Sequence, residues 1–507
     1  MNRTKTFARL IHAEWTKFRT VRGWVLGTVA AALATVVVGL LGTSAPGGEG
    51  PPGPATGFPT GPGGEPVNDS FYFVHRTLHG DGSITVPALS LTGLADDGHG
   101  RNTGGPAQPW AKAGIIVKKD LVQGSPYAAV MLTGGHGVRM QYDYTQDRAA
   151  PVAADGRSPR WLRLVRAGDT LTGFVSSDGT HWSQVGTARL PGLTGTVQAG
   201  LFAASPQARQ STAVGVGFGP AVATGAFGRP ALQGTWPDPR WKGTQVGGDA
   251  GTSGSYSTTM KAGFTEEPDG TFTVTGAGDI APVVGGPAMG PAYSPENFLV
   301  GAFAGLVVVT AVGTVFVTAE YRRGLIRTTL TAHPGRGRVL TAKAVTVGAT
   351  AFAAGLAAAA VVLPLGEQGA ESRGFRVFPV DTATEWRVTV GTALLFAATA
   401  VLALSLGALL RRGAAAVAVV IASTVLPYLL ATSAVLPAGA SEWLLRVTPA
   451  AGFAVQQTLP RYAQVVSVYE PSTGYHPLTP WEGFAVLCGY TALAFGLALT
   501  RLRRSDA

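Results

Sequence analysis

Glu320-Tyr-Arg-Arg-Gly-Leu-Ile-Arg-Thr-Thr-Leu-Thr-Ala-His-Pro-Gly-Arg-Gly-Arg-Val-Leu-Thr-Ala-Lys343 separates two apolar stretches, residues 297–319 and 344–364, each long enough to cross a bilayer. It carries six Lys and Arg against the single acid Glu320. A loop this basic belongs on the cytoplasmic face under the positive-inside rule, and it orients the rest of the chain.

The same reading extends outward to residues 24–42, 388–410, 413–436 and 481–500, each apolar over about 17–25 residues. Six crossings place both termini in the cytoplasm and residues 43–296 outside the cell. Composition agrees: mean hydropathy is +0.23, and only 13% of the 507 residues are charged. The expected fold class is an α-helical polytopic protein of the cell membrane, six transmembrane helices with an all-β sandwich inserted as ectodomain.

Charge follows that topology. Residues on the cytoplasmic side hold 17 Lys and Arg against Glu14, Glu320 and Asp506, a net +14, while the outer segments sum to −4 and leave the formal +10 of the chain. A basic total taken alone suggests nucleic acid; this distribution points to membrane orientation and no nucleic-acid partner.

Residues 1–23 have a helical pattern of their own. Phe7, Leu10, Ile11, Trp15 and Phe18 recur at helical spacing, with Lys5, Arg9, Lys17, Arg19 and Arg22 off or beside that stripe. The expectation is an elbow helix lying on the inner leaflet, apolar face in the acyl boundary and cations near headgroups. The plainer alternative is a basic flank that only orients the first crossing.

Residues 43–66 are rich in Gly and Pro and read as a linker with a coiled span of about 25 Å. Residues 67–285 then change to short alternating runs such as Gly114-Ile-Ile-Val-Lys118 neighbourhoods, Tyr127-Ala-Ala-Val-Met-Leu132 and Leu171-Thr-Gly-Phe-Val175. Their spacing predicts an antiparallel sandwich or barrel, with hairpin turns at Ala167-Gly168-Asp169 and Asp178-Gly179. The one cysteine, Cys488, lies in the last crossing, so the insert must be held by its own core without a disulfide.

Phe71-Tyr-Phe-Val-His-Arg-Thr-Leu-His-Gly-Asp-Gly-Ser-Ile-Thr-Val86, Trp110-Ala-Lys-Ala-Gly-Ile-Ile-Val117, Ser125-Pro-Tyr-Ala-Ala-Val130 and Ser176-Ser-Asp-Gly-Thr-His-Trp182 resemble, in order, the concanavalin A-like jelly-roll domains of the DUF1349 kind. The resemblance covers the core, residues 67–218, and implies a jelly roll. Thr271 to Ala281 resembles the strand that opens such domains, so 232–282 is either a permuted closing strand or a partial second copy. Such folds often bind carbohydrate, which makes Trp110, Trp161 and Trp182 candidates for glycan contact; core packing is the competing role for each. Catalysis is not expected. The paired carboxylates of sandwich glycosidases are missing, Asp96, Asp97 and Asp178 read as turn residues, and the histidines lack zinc spacing.

His12-Ala-Glu-Trp-Thr-Lys-Phe-Arg-Thr-Val-Arg-Gly-Trp24, the Glu320-to-Lys343 loop and Glu442-Trp-Leu-Leu-Arg-Val-Thr-Pro-Ala-Ala-Gly-Phe453 resemble the permease subunits of ABC-2-type transporters of high-GC Gram-positive bacteria. That resemblance implies a coupling loop at 320–343 seated in a separate ATPase, with contact roles for Glu320, Tyr321, Arg322, Arg323, Arg327 and Arg336. It also implies a homodimer or a heterodimer with a second permease, and an interfacial or re-entrant helix in the outer loop 437–480. The sequence holds no Gly-x-x-x-x-Gly-Lys-Ser/Thr loop, so no cofactor is assigned to this chain and ATP with Mg belongs to the partner. Few ionisable residues interrupt the crossings, which disfavours a proton- or sodium-driven carrier and suits an amphiphilic cargo. The rival readings are a membrane-anchored glycan sensor and an enzyme acting on glycolipid through Glu367, Glu371, Asp381 or Glu385.

Overall fold

The computed structural model describes residues 3–44, 59–96, 102–151, 160–193, 195–212, 215–247, 260–284, 292–322, 324, 335–373, 376–433, 435–458, 461–465, 469–471 and 474–504. They fall into two compact units, one of helices (Met1–Gly57, Gly285–Pro460, Val468–Ala507) and one of strands (Phe58–Val284, Arg461–Ser467).

The helical unit contains α1 (Arg3–Thr20), α2 (Arg22–Ser44), a short α3 (Pro295–Phe298), α4 (Ala302–Arg322), α5 (Arg336–Glu371), α6 (Thr382–Leu410), α7 (Gly413–Val420), α8 (Leu426–Thr432), α9 (Ala438–Val447) and α10 (Pro480–Arg504). Among the described residues six helical stretches are long and apolar enough to cross a membrane: Arg22–Leu41, Pro295–Arg322, Arg336–Glu371, Thr382–Leu410, Gly413–Thr432 and Pro480–Arg504. Their shared core includes Leu306, Phe316, Leu395, Phe396, Leu404 and Leu487.

Small residues set how closely α2 approaches α4 and the 3-10 turn Leu299–Gly301 that leads into it. A Cβ on Gly301 would collide with the Thr35 carbonyl, and one on Gly305 with the Thr35 hydroxyl, so neither position accepts a side chain as the helices stand. The third span is longer than its apolar core. Residues 336–343, expected as loop, are the first two turns of α5. The fifth is interrupted: a π-turn at Ile421–Val425 separates α7 from α8, directly before Pro427, whose missing N–H cannot continue the ladder. After α9 comes a 3-10 segment, Pro449–Gln456, every residue of which is buried. Arg387 on α6 donates to the carbonyls of Val455 and Gln457 at 3.1 and 2.8 Å, tying that segment to the bundle.

The strand unit contains β1 (Val67–Asp69), β2 (Phe71–Asp96), β3 (Asn102–Pro106), β4 (Lys112–Lys118), β5 (Tyr127–Thr133), β6 (Val138–Tyr142), β7 (Gln146–Ala149), β8 (Arg160–Ala167), β9 (Thr170–Ser176) and β10 (Ser183–Arg189). It continues through β11 (Thr196–Ala204), β12 (Ala208–Thr212), β13 (Gly215–Gly219), β14 (Ala221–Phe227), β15 (Ala231–Thr235), β16 (Lys242–Val246), β17 (Gly263–Glu266), β18 (Phe272–Gly276) and β19 (Ile280–Pro282). Most join one antiparallel sheet whose main path runs β10-β9-β8-β2-β11-β4-β5-β6-β7. The 26-residue β2 serves both layers, pairing with β11 and β16 near its start, β8 and β15 at its middle, and β14 and β3 at its end. Strands β4 and β5 pack across β8 and β9, enclosing Val74, Ile115, Val130, Met140, Leu162 and Leu201. This is a barrel-like β-sandwich of jelly-roll type. The segment 231–276 adds its strands to the same sheet instead of forming one of its own.

A second apolar layer covers the outer face of β4, β5 and β11: Phe71, Phe73, Ile116, Tyr127, Phe202 and Ile280 cluster there, and β1 pairs with β19 to cap it. Because β4 is buried on both faces, its lysines are buried too. Lys112 Nζ donates to Asp279 at 2.5 Å and to the Ile280 carbonyl at 2.9 Å. Lys118 Nζ donates to Asp69 at 2.7 Å and to the Ser125 carbonyl and Tyr144 hydroxyl at 3.1 Å each. These ionic clips do here what a disulfide would otherwise do, joining the cap to the sheet; breaking either would leave an unpaired buried charge.

Candidate functional site

The basic residues that the sequence scatters over four segments meet at one end of the helix bundle. Arg336 donates to the Leu502 carbonyl at 3.1 Å, Arg501 to the Leu409 carbonyl at 2.5 Å, and the Arg411 guanidinium lies 5.4 Å from the Tyr321 ring centre. Arg322 and Arg338 are exposed there. Arg323 and Arg327 lie outside the described residues.

Beneath this surface is a compact charge cluster. Lys343, 1% exposed in the second turn of α5, donates to both oxygens of Glu14 on α1 at 2.9 and 2.8 Å and to Glu320 near the end of α4 at 2.6 Å. Lys17 completes it with an ion pair to Glu320. Two carboxylates and two ammonium groups balance formally, and one oxygen of Glu320 still lacks a partner. Burial, then the neighbouring Lys343 charge, lowers the Lys17 ammonium to about 8. The arrangement fastens three helices at one point: α1 to α4 and α5 together.

Helical spacing explains how α1 reaches it. Phe7, Leu10 and Ile11 pack on Val339 and Ala342, and Phe18 enters the main core against Trp24 and Phe316. The stripe expected to face acyl chains is therefore turned largely onto the protein, with Trp15 left 43% exposed and Arg19 and Arg22 exposed. Glu14 occupies that same stripe, four residues after Leu10 and four before Phe18. Its position was readable as an acid on an apolar face, a pattern that usually means a buried cation opposite. Glu320 points inward in the same way, so its carboxylate meets Lys343 and Lys17 and not solvent.

In the strand unit the three tryptophans separate. Trp110 is 5% exposed, edge-on to His136 at 3.9 Å. Trp161 is partly exposed, its indole against Gly179, and Trp182 has the Arg163 guanidinium 3.8 Å over its ring. Those two share one outward patch with the Ser176–His181 turn. There the Thr180 and His181 amides each donate to Asp178 at 2.8 Å. The His181 ring and these amides hold the Asp178 carboxyl well below its usual range, which is the chemistry of a turn. Among the described residues no group of three or more His, Cys, Asp or Glu is placed to hold a metal ion.

No family model matches the chain, and no curated protein matches it. Among solved structures, a functionally unknown protein of Saccharomyces cerevisiae is 18% identical over 34% of this chain and 77% of its own, at a TM-score of 0.20. The GH43 protein BlXynB of Bacillus licheniformis is 16% identical over 31% of this chain and 28% of its own, TM-score 0.21. Sheep galectin-11 is 10% identical over 31% of this chain and 97% of its own, TM-score 0.16. At these scores the likenesses carry no argument about function.

Proposed function

We propose that this chain is the membrane-spanning subunit of an ATP-driven transporter of the ABC-2 permease type, working as an exporter with a separate ATPase. The observation that carries the reading is the fastening of α1 to α4 and α5 by Glu14, Lys17, Glu320 and Lys343, directly beneath an exposed basic surface. A subunit driven by a partner needs a rigid input at its cytoplasmic end, so that a push on one element moves the membrane helices with it. Lys343 ties the stretch leading out of α4 and into α5 to the elbow helix, while Arg322, Arg336 and Arg338 supply polar grip. On this reading both termini are cytoplasmic, two such subunits pair around the pathway, and the DUF1349-like sandwich stands outside the cell.

A second reading, a membrane-anchored glycan-binding sensor, is favoured by one feature: the outward patch of Trp161, Arg163 and Trp182, whose flat groups suit a sugar ring. The capped face of β4, β5 and β11 speaks against a glycan site there, since a ligand would have to displace the β1 and β19 cap.

Purification of the tagged chain from its native membranes in mild detergent, with identification of co-purifying proteins, separates the two. The permease reading expects a protein carrying a nucleotide phosphate loop, recovered with wild type and lost with Arg322→Glu plus Arg338→Glu. Absence of any nucleotide-binding partner, even after cross-linking, would refute it.

A further inference from the structure

A cavity of about 520 Å³ opens between α5 and α6, at the ends of those helices remote from Arg336. Its size is that of a small-molecule site. Leu356, Leu363 and Pro364 form one wall, and Trp386 and Val388 the other. Its charged groups are all of one sign: Glu367 on α5 and Glu385 on α6 line it, and Glu371 follows Glu367 by one turn of α5. Neither Glu367 nor Glu385 has an ion-pair partner among the described residues. The nearby Arg387 does not serve them, because its guanidinium is spent on the Val455 and Gln457 carbonyls.

Pro364 inside α5 has no N–H to give the carbonyl of Ala360 one turn earlier, and both residues line the cavity. An apolar chamber thus presents two carboxylates, with a 65% exposed indole, Trp386, at its edge. Anionic lipid headgroups are repelled by such a site. A cation gains from the carboxylates and from the indole face, and an apolar body gains from the leucine wall.

We propose that this cavity binds an amphiphilic cation drawn from the membrane, a molecule with a hydrophobic body and a positive charge held between Glu367 and Glu385. The proposal rests on the cavity alone and would stand for a chain that has no ATPase partner. No sequence motif marked the site; the four outer carboxylates Glu367, Glu371, Asp381 and Glu385 were its only trace.

The test is equilibrium binding to the full-length protein in phosphatidylcholine nanodiscs, with empty nanodiscs subtracted. The probes are tetraphenylphosphonium and tetraphenylborate, alike in shape and opposite in charge. Saturable binding of the phosphonium alone is expected, weakened about tenfold or more by Glu367→Gln with Glu385→Gln. Dodecyltrimethylammonium should compete and tetramethylammonium should not, which separates a membrane-borne amphiphile from a small soluble cation. Ala360→Phe, which fills the chamber and keeps both carboxylates, should also abolish binding, and it serves if the double variant fails to fold. Equal saturable binding of tetraphenylborate, or phosphonium binding unchanged in the folded variants, would overturn the proposal.

Discussion

At Lys343 one ammonium answers two buried carboxylates, so its removal is more damaging than the loss of any single hydrogen bond. Lys343→Met should destabilise the detergent-solubilised chain by about 3–5 kcal/mol, because Glu14 is left buried without its cation while Glu320 keeps only Lys17. Adding Glu14→Gln, which leaves the Lys17–Glu320 pair in place, should restore most of it, and thermal unfolding of the single and double variants reads both. Asp143 poses the opposite problem in the strand unit. Burial pushes its carboxyl up to about 6, and one of its oxygens is buried without a partner. The folded state therefore holds a proton that the unfolded state releases near 4, and stability falls as pH rises through that window, from about 4 to about 6. Asp143→Asn should remove this dependence and slow amide exchange in β5 and β6 at pH 7 while changing little at pH 4; Asn also suits its φ of 44°. Glu320 was singled out in the sequence for contact with an ATPase, whereas its carboxylate is buried against Lys343 and Lys17. Glu14, which shares Lys343 with it, was not singled out, since a count of charges treats an acid on an apolar stripe like any other.

Elements were legible wherever a single period runs unbroken. The apolar spans could be read from length alone, because hydrocarbon thickness fixes it, and the alternating strands from their two-residue repeat. What local sequence did not reveal were features set by neighbours: the helical start of α5 at Arg336, the π-turn before Pro427, and the buried segment Pro449–Gln456. The lysines of β4 belong here as well. Lys112 and Lys118 alternate onto an outer face that looks solvated until β1 and β19 cover it. Close approach of α2 and α4 gives the prediction at this scale. Gly301→Val should force those helices apart and destabilise the chain by about 1–3 kcal/mol, measured by thermal unfolding in detergent, whereas Gly489→Val, with open space around it, should not.

For the molecule as a whole, the sequence conveyed a division into helical spans and a β-sandwich insert because the two solvents demand different periodicities. It conveyed orientation only through the placement of Lys and Arg. That orientation is testable by cysteine labelling in a Cys488→Ala background. A cysteine at Thr20 or Arg504 should react with an impermeant maleimide only after the membrane is opened from the cytoplasmic side, and one at His181 should react in intact cells. Reversal of that pattern would invert the topology and remove the basic surface from reach of any cytoplasmic ATPase. The central claim is that this surface docks a nucleotide-hydrolysing partner. It is tested most directly by placing a photo-cross-linking amino acid at Arg322, with His181 as control, irradiating cells and sequencing the adduct. The account predicts a single adduct at position 322 to a protein bearing a nucleotide phosphate loop and none from position 181; an adduct to lipid alone, or to no nucleotide-binding protein, would contradict it.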